Sequence, residues 1–517
     1  MSLFSLDRND SSIFKRKYGF KELLMFASIF AIASIIVLNL LCSDNPHRVS
    51  SSSHRNDQLK KWVQMKYLKR TFYRTDLDTT TNLDLLEHSE IDRILLKTFG
   101  YDYEDYHRFK SNKISMKSFD FLFRNDSHNV FNLHKTDVLV FLHMQKTGGS
   151  AFDRHLVRDL ILPQPCKCDS KRKKKCRCFR PGTMDKYWLF SRYSIGWKCG
   201  LHADYTELTN CVDRILNQFE HTKEDFDRNY YFVTLLRDPI ARFLSEFKHV
   251  QRGATWKTSR HWCDGRLPTI KEIPFCFKGS NWKNVSFDEF LSCQNNLAFN
   301  RQTRMLADLS LVGCYNKSVM SPEERDSVML FSAKQNLKRM SFFGLCEEQL
   351  ATQYMFERAF KFHFRRPFVQ FNQTRSHATL KSLNFNQIEQ IRRLNHLDVK
   401  LYSYAKDLFR KRFAMIKEMD PNFNDYYREL SKASQMLLQK TKSTPSSTRS
   451  KSSLKSSPQS NRIDHDSESE SLDSNYIDYD MRGGVGVGDS DDNLDLEDSS
   501  SALDSIDEND SVEDYYV

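Results

Sequence analysis

"VLVFLHMQKTGGSAFDRHLV", residues 138–157, decides the fold. Residues 138–142 are an unbroken apolar run with the length of a strand buried on both faces, as in a parallel sheet. Residues 143–149 turn the chain. A helix is predicted to follow, with Ser150 and Asp153 spaced as a capping box and Phe152, Leu156 and Leu160 on one face. Strand, glycine turn and helix together aim main-chain N–H groups and the positive end of the helix dipole at one point, where an anion can sit. The glycines let the backbone approach that anion closely, and Lys146 adds a point charge. This is not the G-x-x-x-x-G-K-[ST] loop of nucleotide triphosphatases, because the lysine precedes the glycines. Nor does a clear carboxylate for Mg²⁺ follow on a later strand.

A second stretch repeats the pattern. Residues 230–236, YYFVTLL, read as another buried strand, and Arg237-Asp238-Pro239 follows. Asp238 suits a helix N-cap and Pro239 the first helical position. Phe243, Leu244, Phe247 and Val250 then mark an apolar face. Arg237 and Ser245 are placed to reach one phosphate from a strand end and the helix after it.

Outside these stretches the 517-residue chain is uneven. Residues 23–41 are almost wholly apolar and follow Lys15, Arg16, Lys17 and Lys21, so we expect a signal anchor with a cytosolic tail at 1–22. No small-residue cleavage site ends the run, which argues against a removed signal peptide. Residues 42–134 read as a polar lumenal stem with some helix over 83–99. Residues 135–425 alternate buried strands with amphipathic helices and are expected to be the main folded domain. Residues 426–517 turn Ser-rich, then acidic, and cannot bury enough surface to offset chain entropy, so disorder is expected.

Of twelve cysteines, Cys42 lies at the membrane edge and eleven fall between Cys166 and Cys346. An oxidising lumen would pair most of these, and an odd count leaves at least one outside an intramolecular disulfide. Sequons at Asn125, Asn284, Asn316 and Asn372 fit the secretory route, whereas the one at Asn9 would be cytosolic. Residues 461–517 hold 19 Asp/Glu against 2 Lys/Arg, a net of −17, which leaves +28 on residues 1–460. So basic a body calls for an acidic partner, in a lumen a polyanionic glycan rather than nucleic acid. The tail is expected to compete for the same basic surface.

"HMQKTGGSAF" and "LLRDPIARFLSEF" resemble the two phosphate-binding signatures of sulfotransferases that use 3′-phosphoadenylyl sulfate (PAPS). With "LFSRYSIGWKCGLHADYTELTNC", "HVQRGATWKTS" and "NRQTRMLADLSLVGCYN" the resemblance narrows to the heparan-sulfate 6-O-sulfotransferases, over roughly residues 135–415. It implies a Golgi enzyme that moves sulfate from PAPS to the 6-hydroxyl of glucosamine in heparan sulfate, with PAPS as co-substrate and no metal.

The same resemblance implies residue roles. The PAPS loop falls on His143, Met144, Gln145, Lys146, Thr147, Gly148, Gly149, Ser150 and Ala151, with Lys146 at the bridging oxygen of the phosphosulfate. Arg237 and Ser245 take the 3′-phosphate. Val369, Gln370, Phe371, Arg375 and Ser376, in "RPFVQFNQTRS", form a later cofactor contact. His202 is the general base, and Lys174, Lys175, Arg192, Trp197, His249 and Trp256 hold the glycan. His155, on the helix after the loop, is the rival base. Sulfuryl transfer wants these residue types: positioning and charge neutralisation dominate, and an imidazole can take the hydroxyl proton near neutral pH.

"CKCDSKRKKKCRC", residues 166–178, sets two C-x-C pairs around five basic residues and reads as a disulfide-pinned basic finger. Zinc is the alternative, although the spacing is not that of a zinc ribbon. Two departures bear on the disulfides: Cys346 in "FFGLCEEQ" stands where another residue is expected, and Val285 in "NWKNVSF" where cysteine is. The expected fold is α/β, a P-loop-like parallel sheet flanked by helices with a disulfide-rich basic insertion, behind a single-pass anchor.

Overall fold

The computed structural model describes residues 79–110, 114–123, 130–169, 175–222, 227–255, 260–369 and 379–443. The expected anchor at 23–41 and the acidic tail lie outside them. No described helix is long and apolar enough to cross a membrane.

Seven strands are found among the described residues: β1 (Ser115–Met116), β2 (Asp137–Leu142), β3 (Lys167–Cys168), β4 (Cys176–Arg177), β5 (Leu189–Phe190), β6 (Asn229–Leu236) and β7 (Phe342–Leu345). β2 and β6 form the centre of a wholly parallel sheet, with Val140 opposite Phe232. β5 extends the β2 side, while β1 and β7 share the far edge of β6, one beside its start and one beside its end. β3 and β4 pair antiparallel, apart from this sheet. Every residue of β2 and β7 is buried, as are all of β6 after Asn229. That is the signature of strands covered on both faces, and it matches the unbroken apolar runs.

The sheet is framed by helices α1 (Thr79–Phe99), α2 (Gly149–Arg158), α3 (Tyr205–Glu220), α4 (Pro239–Gln251), α5 (Arg301–Leu306), α6 (Pro322–Arg339), α7 (Gln349–Phe360), α8 (His396–Met419) and α9 (Phe423–Ser443), with others between. Phe152, Leu156 and Leu160 enter the main core, as their spacing implied. Phe243, Leu244, Phe247 and Val250 instead form a second core with Phe290, Leu291 and Ile391.

The folded body begins before residue 135. α1, expected in the stem, buries Ile91, Ile94 and Leu95 in the main core and is tied to α6 by Lys97–Glu324 and Lys334–Glu87 ion pairs. β1 adds a strand to the sheet. The body also runs past residue 425: Phe423 and Tyr427 of α9 pack rings against Tyr354 on α7, and Ser434 Oγ donates to the Phe368 carbonyl at 2.9 Å. Both segments carry an ordinary share of apolar residues, and what hid them is that each helix buries only a narrow stripe.

Disulfides join Cys166 to Cys178 and Cys168 to Cys176, forming two rungs across the β3–β4 pair. The C-x-C sulfurs are thus spent on each other rather than on zinc. Cys199–Cys211, Cys263–Cys314 and Cys276–Cys293 complete the set, and Cys346 keeps a buried thiol. Asn284 and Asn316 are exposed, while Asn125 and Asn372 lie outside the described residues.

Candidate active site

The loop after β2 turns through two left-handed residues, Lys146 (φ 64°) and Gly148 (φ 87°). Thr147, fully buried, donates its hydroxyl to the Met144 carbonyl at 3.1 Å and closes the turn. α2 then starts at Gly149 with Gly148 as N-cap, and no side chain caps it. The expected Ser150/Asp153 capping box is therefore not formed. Asp153 is needed elsewhere: wholly buried, it accepts the Tyr193 N–H at 3.0 Å, and burial pushes its carboxyl up to about 7. The helix start keeps its positive end uncovered by its own side chains, which suits a ligand's phosphate. Gly149 is required by contact, since a Cβ there would lie 2.1 Å from Cδ2 of the His143 ring. The Cδ2–Nε2 edge of the His143 imidazole thus lies against the first helical residue.

The second signature meets the first here. Arg237, at the end of β6, donates from Nη1 to the Lys146 carbonyl at 3.2 Å. Its own backbone is clamped by the Gln302 amide, which accepts from the Arg237 N–H at 2.9 Å and donates to its carbonyl at 3.0 Å. Asp238 caps α4 by accepting from the Ile240 and Ala241 N–H groups, and Pro239 opens the helix, both as the sequence implied. Ser245 lies further along α4 and is half-buried. Under it, Glu246 joins Arg242 on α4 to Arg301 on α5, all three buried. Burial alone would raise the Glu246 carboxyl, but the Arg301 and Arg242 guanidiniums outweigh it and hold it at about 2. Cys346 N–H bonds the Leu236 carbonyl at 2.8 Å, and a Cβ on Gly148 would lie 3.4 Å from the Cys346 Sγ, so the thiol packs under the loop.

His202 comes to the same loop from the turn before α3. Its Nδ1 lies 3.4 Å from the His143 carbonyl oxygen, and the two imidazole centroids are 5.1 Å apart. Burial first, then the Arg192 guanidinium and His143, hold its imidazolium form well below the usual range. His143, Arg192, Gly200 and Leu201 line one small cavity. Loop, imidazole and guanidinium are thus assembled from three parts of the chain. The rival His155 is engaged differently: its Nδ1 pairs with Asp159 at 2.7 Å and its ring packs on Phe368.

Of the expected glycan contacts, Lys175 and Trp197 meet, with the ammonium 5.0 Å from the indole centroid. Lys198 covers the same indole at 4.3 Å. Both line an open cleft of about 680 Å³ with Lys167, Arg177 and Phe219. Lys167, Arg177 and Lys198 were not among the expected glycan contacts, although Lys198 adjoins Trp197 and the other two lie between the C-x-C cysteines. The cleft and the small cavity share the turn Gly196–Cys199, since Gly196 lines one and Trp197 the other. His249 sits near the end of α4, remote in sequence from that turn. Val369 is half-buried beyond Phe368. Lys174, Trp256, Gln370, Phe371, Arg375 and Ser376 lie outside the described residues.

A buried polar cluster adjoins His202. The Asp204 carboxylate caps α3 through the Glu207 N–H at 2.8 Å, and Glu207 contacts His261 Nδ1 at 3.1 Å and accepts from the Trp262 N–H at 3.3 Å. Burial pushes Asp204 and Glu207 each up to about 7, and pushes His261 down to about 4. Donor atoms of the three lie within 4.8 Å of one another, a set that a divalent cation could also take.

Residues 129–405 match the model of the sulfotransferase family. Over 290 residues the chain is 54% identical to heparan-sulfate 6-O-sulfotransferase 2 of Gallus gallus, covering 56% of this chain and 71% of that one. It is 55% identical over 291 residues to heparan-sulfate 6-O-sulfotransferase 3 of Homo sapiens, and there the match covers 61% of the relative, less than two thirds of its length. Human heparan-sulfate 6-O-sulfotransferase 1 is 52% identical over 290 residues, 70% of its length.

Proposed function

This chain belongs to the sulfotransferase family, and on that premise we propose that it transfers the sulfuryl group of PAPS to the 6-hydroxyl of glucosamine residues in heparan sulfate. The observation that carries the reading is the His202 imidazole held against the carbonyl of His143, the first residue of the anion loop. It brings a base and a phosphate cradle to one place.

The reaction is an in-line displacement. His202 Nε2 takes the proton of the sugar hydroxyl as its oxygen bonds to sulfur and the bond from sulfur to the bridging phosphate oxygen breaks. The carbonyl of His143 accepts from Nδ1–H, which keeps the lone pair on Nε2. Lys146 and the N–H groups at the start of α2 hold the charge that grows on the leaving phosphate. Arg237 and Ser245 take the 3′-phosphate, with Val369, Gln370, Phe371, Arg375 and Ser376 along the nucleotide. Lys174, Lys175, Arg192, Trp197, His249 and Trp256 grip the glycan, a polyanion that suits the positive body of the chain. Residues 23–41 anchor the enzyme in the Golgi membrane with this domain in the lumen; the five disulfides support that compartment.

The test is incubation with heparan sulfate and sulfur-labelled PAPS, followed by disaccharide analysis. Label on the 6-hydroxyl of glucosamine is expected. Label on another hydroxyl, label only on chondroitin, or heparin binding without transfer would each overturn the reading.

A further inference from the structure

Trp262 is about half exposed, at 52%, while its neighbours His261 and Cys263 are each 2% exposed. The backbone beneath this indole is fixed from several sides. On the N-terminal side, His261 contacts Glu207 through Nδ1, and its carbonyl accepts the Tyr315 hydroxyl. On the C-terminal side, Cys263 is bonded to Cys314 and exchanges main-chain hydrogen bonds with Arg266. The Trp262 N–H itself donates to Glu207 Oε1 at 3.3 Å.

Glu207 places this platform. It lies in the first turn of α3, three residues after Asp204 and one before Leu208, which lines the cavity with His143 and Arg192. A Cβ on Gly200 would lie 3.5 Å from the Glu207 carboxylate, and Gly200 lines that cavity too. One carboxylate therefore links the turn that bears His202 to the fixed backbone that carries an exposed indole.

We infer that Trp262 is a sugar-stacking residue of the acceptor site, set by Glu207 and His261 to receive the face of a pyranose ring beside the residue being sulfated. The inference rests on the glycan acceptor proposed above. A flat apolar face held in advance costs little entropy on binding, and a sugar ring presents axial C–H groups to match it. The three lysines and Arg177 of the cleft supply charge, whereas Trp262 supplies affinity that salt does not screen.

The experiment compares wild type, Trp262→Ala and Trp262→Phe for heparin-octasaccharide affinity across a salt series, for KM and for PAP affinity. Trp262→Ala is expected to weaken octasaccharide binding and raise KM about tenfold. The slope of affinity against salt and PAP binding should stay as in wild type. Trp262→Phe, which keeps a stacking face, should restore most of the loss. Octasaccharide affinity within twofold of wild type in Trp262→Ala would overturn the inference, as would a changed salt slope or an equal loss in Trp262→Phe. If Trp262→Ala does not fold, quenching of wild-type tryptophan fluorescence by octasaccharide that persists undiminished in Trp262→Phe would overturn it. A chain that transfers no sulfate to heparan sulfate but loses octasaccharide affinity on Trp262→Ala would sink the proposed reaction and uphold this contact.

Discussion

The Nδ1 atom of His202 lies 3.4 Å from the main-chain carbonyl of His143, the residue that opens the anion loop. A carbonyl can only accept, so the pair selects the tautomer that carries its proton on Nδ1. His202 and the loop are thereby in direct contact.

The surroundings of that pair have a pH consequence. Burial first, then Arg192 and the His143 ring, disfavour the imidazolium of His202 and outweigh the hydrogen bond to the His143 carbonyl, which favours it, so its pKa falls below the ordinary 6.5. The base form is then present from below neutrality upward, and the acid limb of kcat/KM should lie below pH 6.5. Arg192→Gln removes a positive neighbour, so the limb should move up. A wild-type limb at or above 6.5 would count against His202 as the base.

Lys146 holds a left-handed backbone that costs a non-glycine residue about 1 kcal/mol. Lys146→Ala should cut turnover on the order of 10²–10³-fold, as for the loss of one donor to a developing anion, with heparin-column retention nearly unchanged. Lys146→Gly relieves the backbone and should hold or raise Tm while activity falls as far. Retained turnover in either variant would remove this loop from the chemistry.

At Gly149 a methyl group would meet the His143 ring at 2.1 Å. Gly149→Ala must therefore push the imidazole off the helix start. PAP affinity should fall at least about tenfold, on the scale of a misplaced site group, as read by calorimetry. Wild-type affinity would mean that the ring is not part of the cradle.

Glu246→Gln strands two buried guanidiniums and should destabilise the fold by about 3–5 kcal/mol in urea titration at neutral pH. The carboxyl is held at about 2 against an ordinary 4.5, so its stabilising effect is present above pH 4.5 and is lost as pH falls toward 2. The gap between wild type and variant should narrow over that window. A constant gap would mean that the lost stability comes from packing, not charge.

Much of this was legible in residues 138–157 and 230–239, because a strand buried on both faces and a Pro-led helix leave local marks that packing does not overrule. Asp238 capped its helix as expected, since its side chain had no other demand on it. Asp153 did not cap, because the Tyr193 N–H, forty residues away, claimed it. Long-range claims of that kind leave no spacing to read. The Glu207–His261 pair, 54 positions apart, was illegible for the same reason. So was the reach of the folded body into α1 and α9, whose single buried stripes resemble those of helices in water.

No half-cystine lies in β1, β2, β5, β6 or β7, nor in α2 or α4. All five bonds tie down the excursions that carry the basic finger, the turn at residues 196–199, the Trp262 segment and its neighbours. The molecule is consequently split by redox sensitivity. A mild reductant should loosen the excursions proposed to grip the glycan, while the sheet and its two loops, built on main-chain hydrogen bonds and apolar contact, should keep their affinity for PAP. Biogenesis should follow the same division: the parallel sheet and the two loops at its strand ends close without an oxidant, whereas the excursions around them need one.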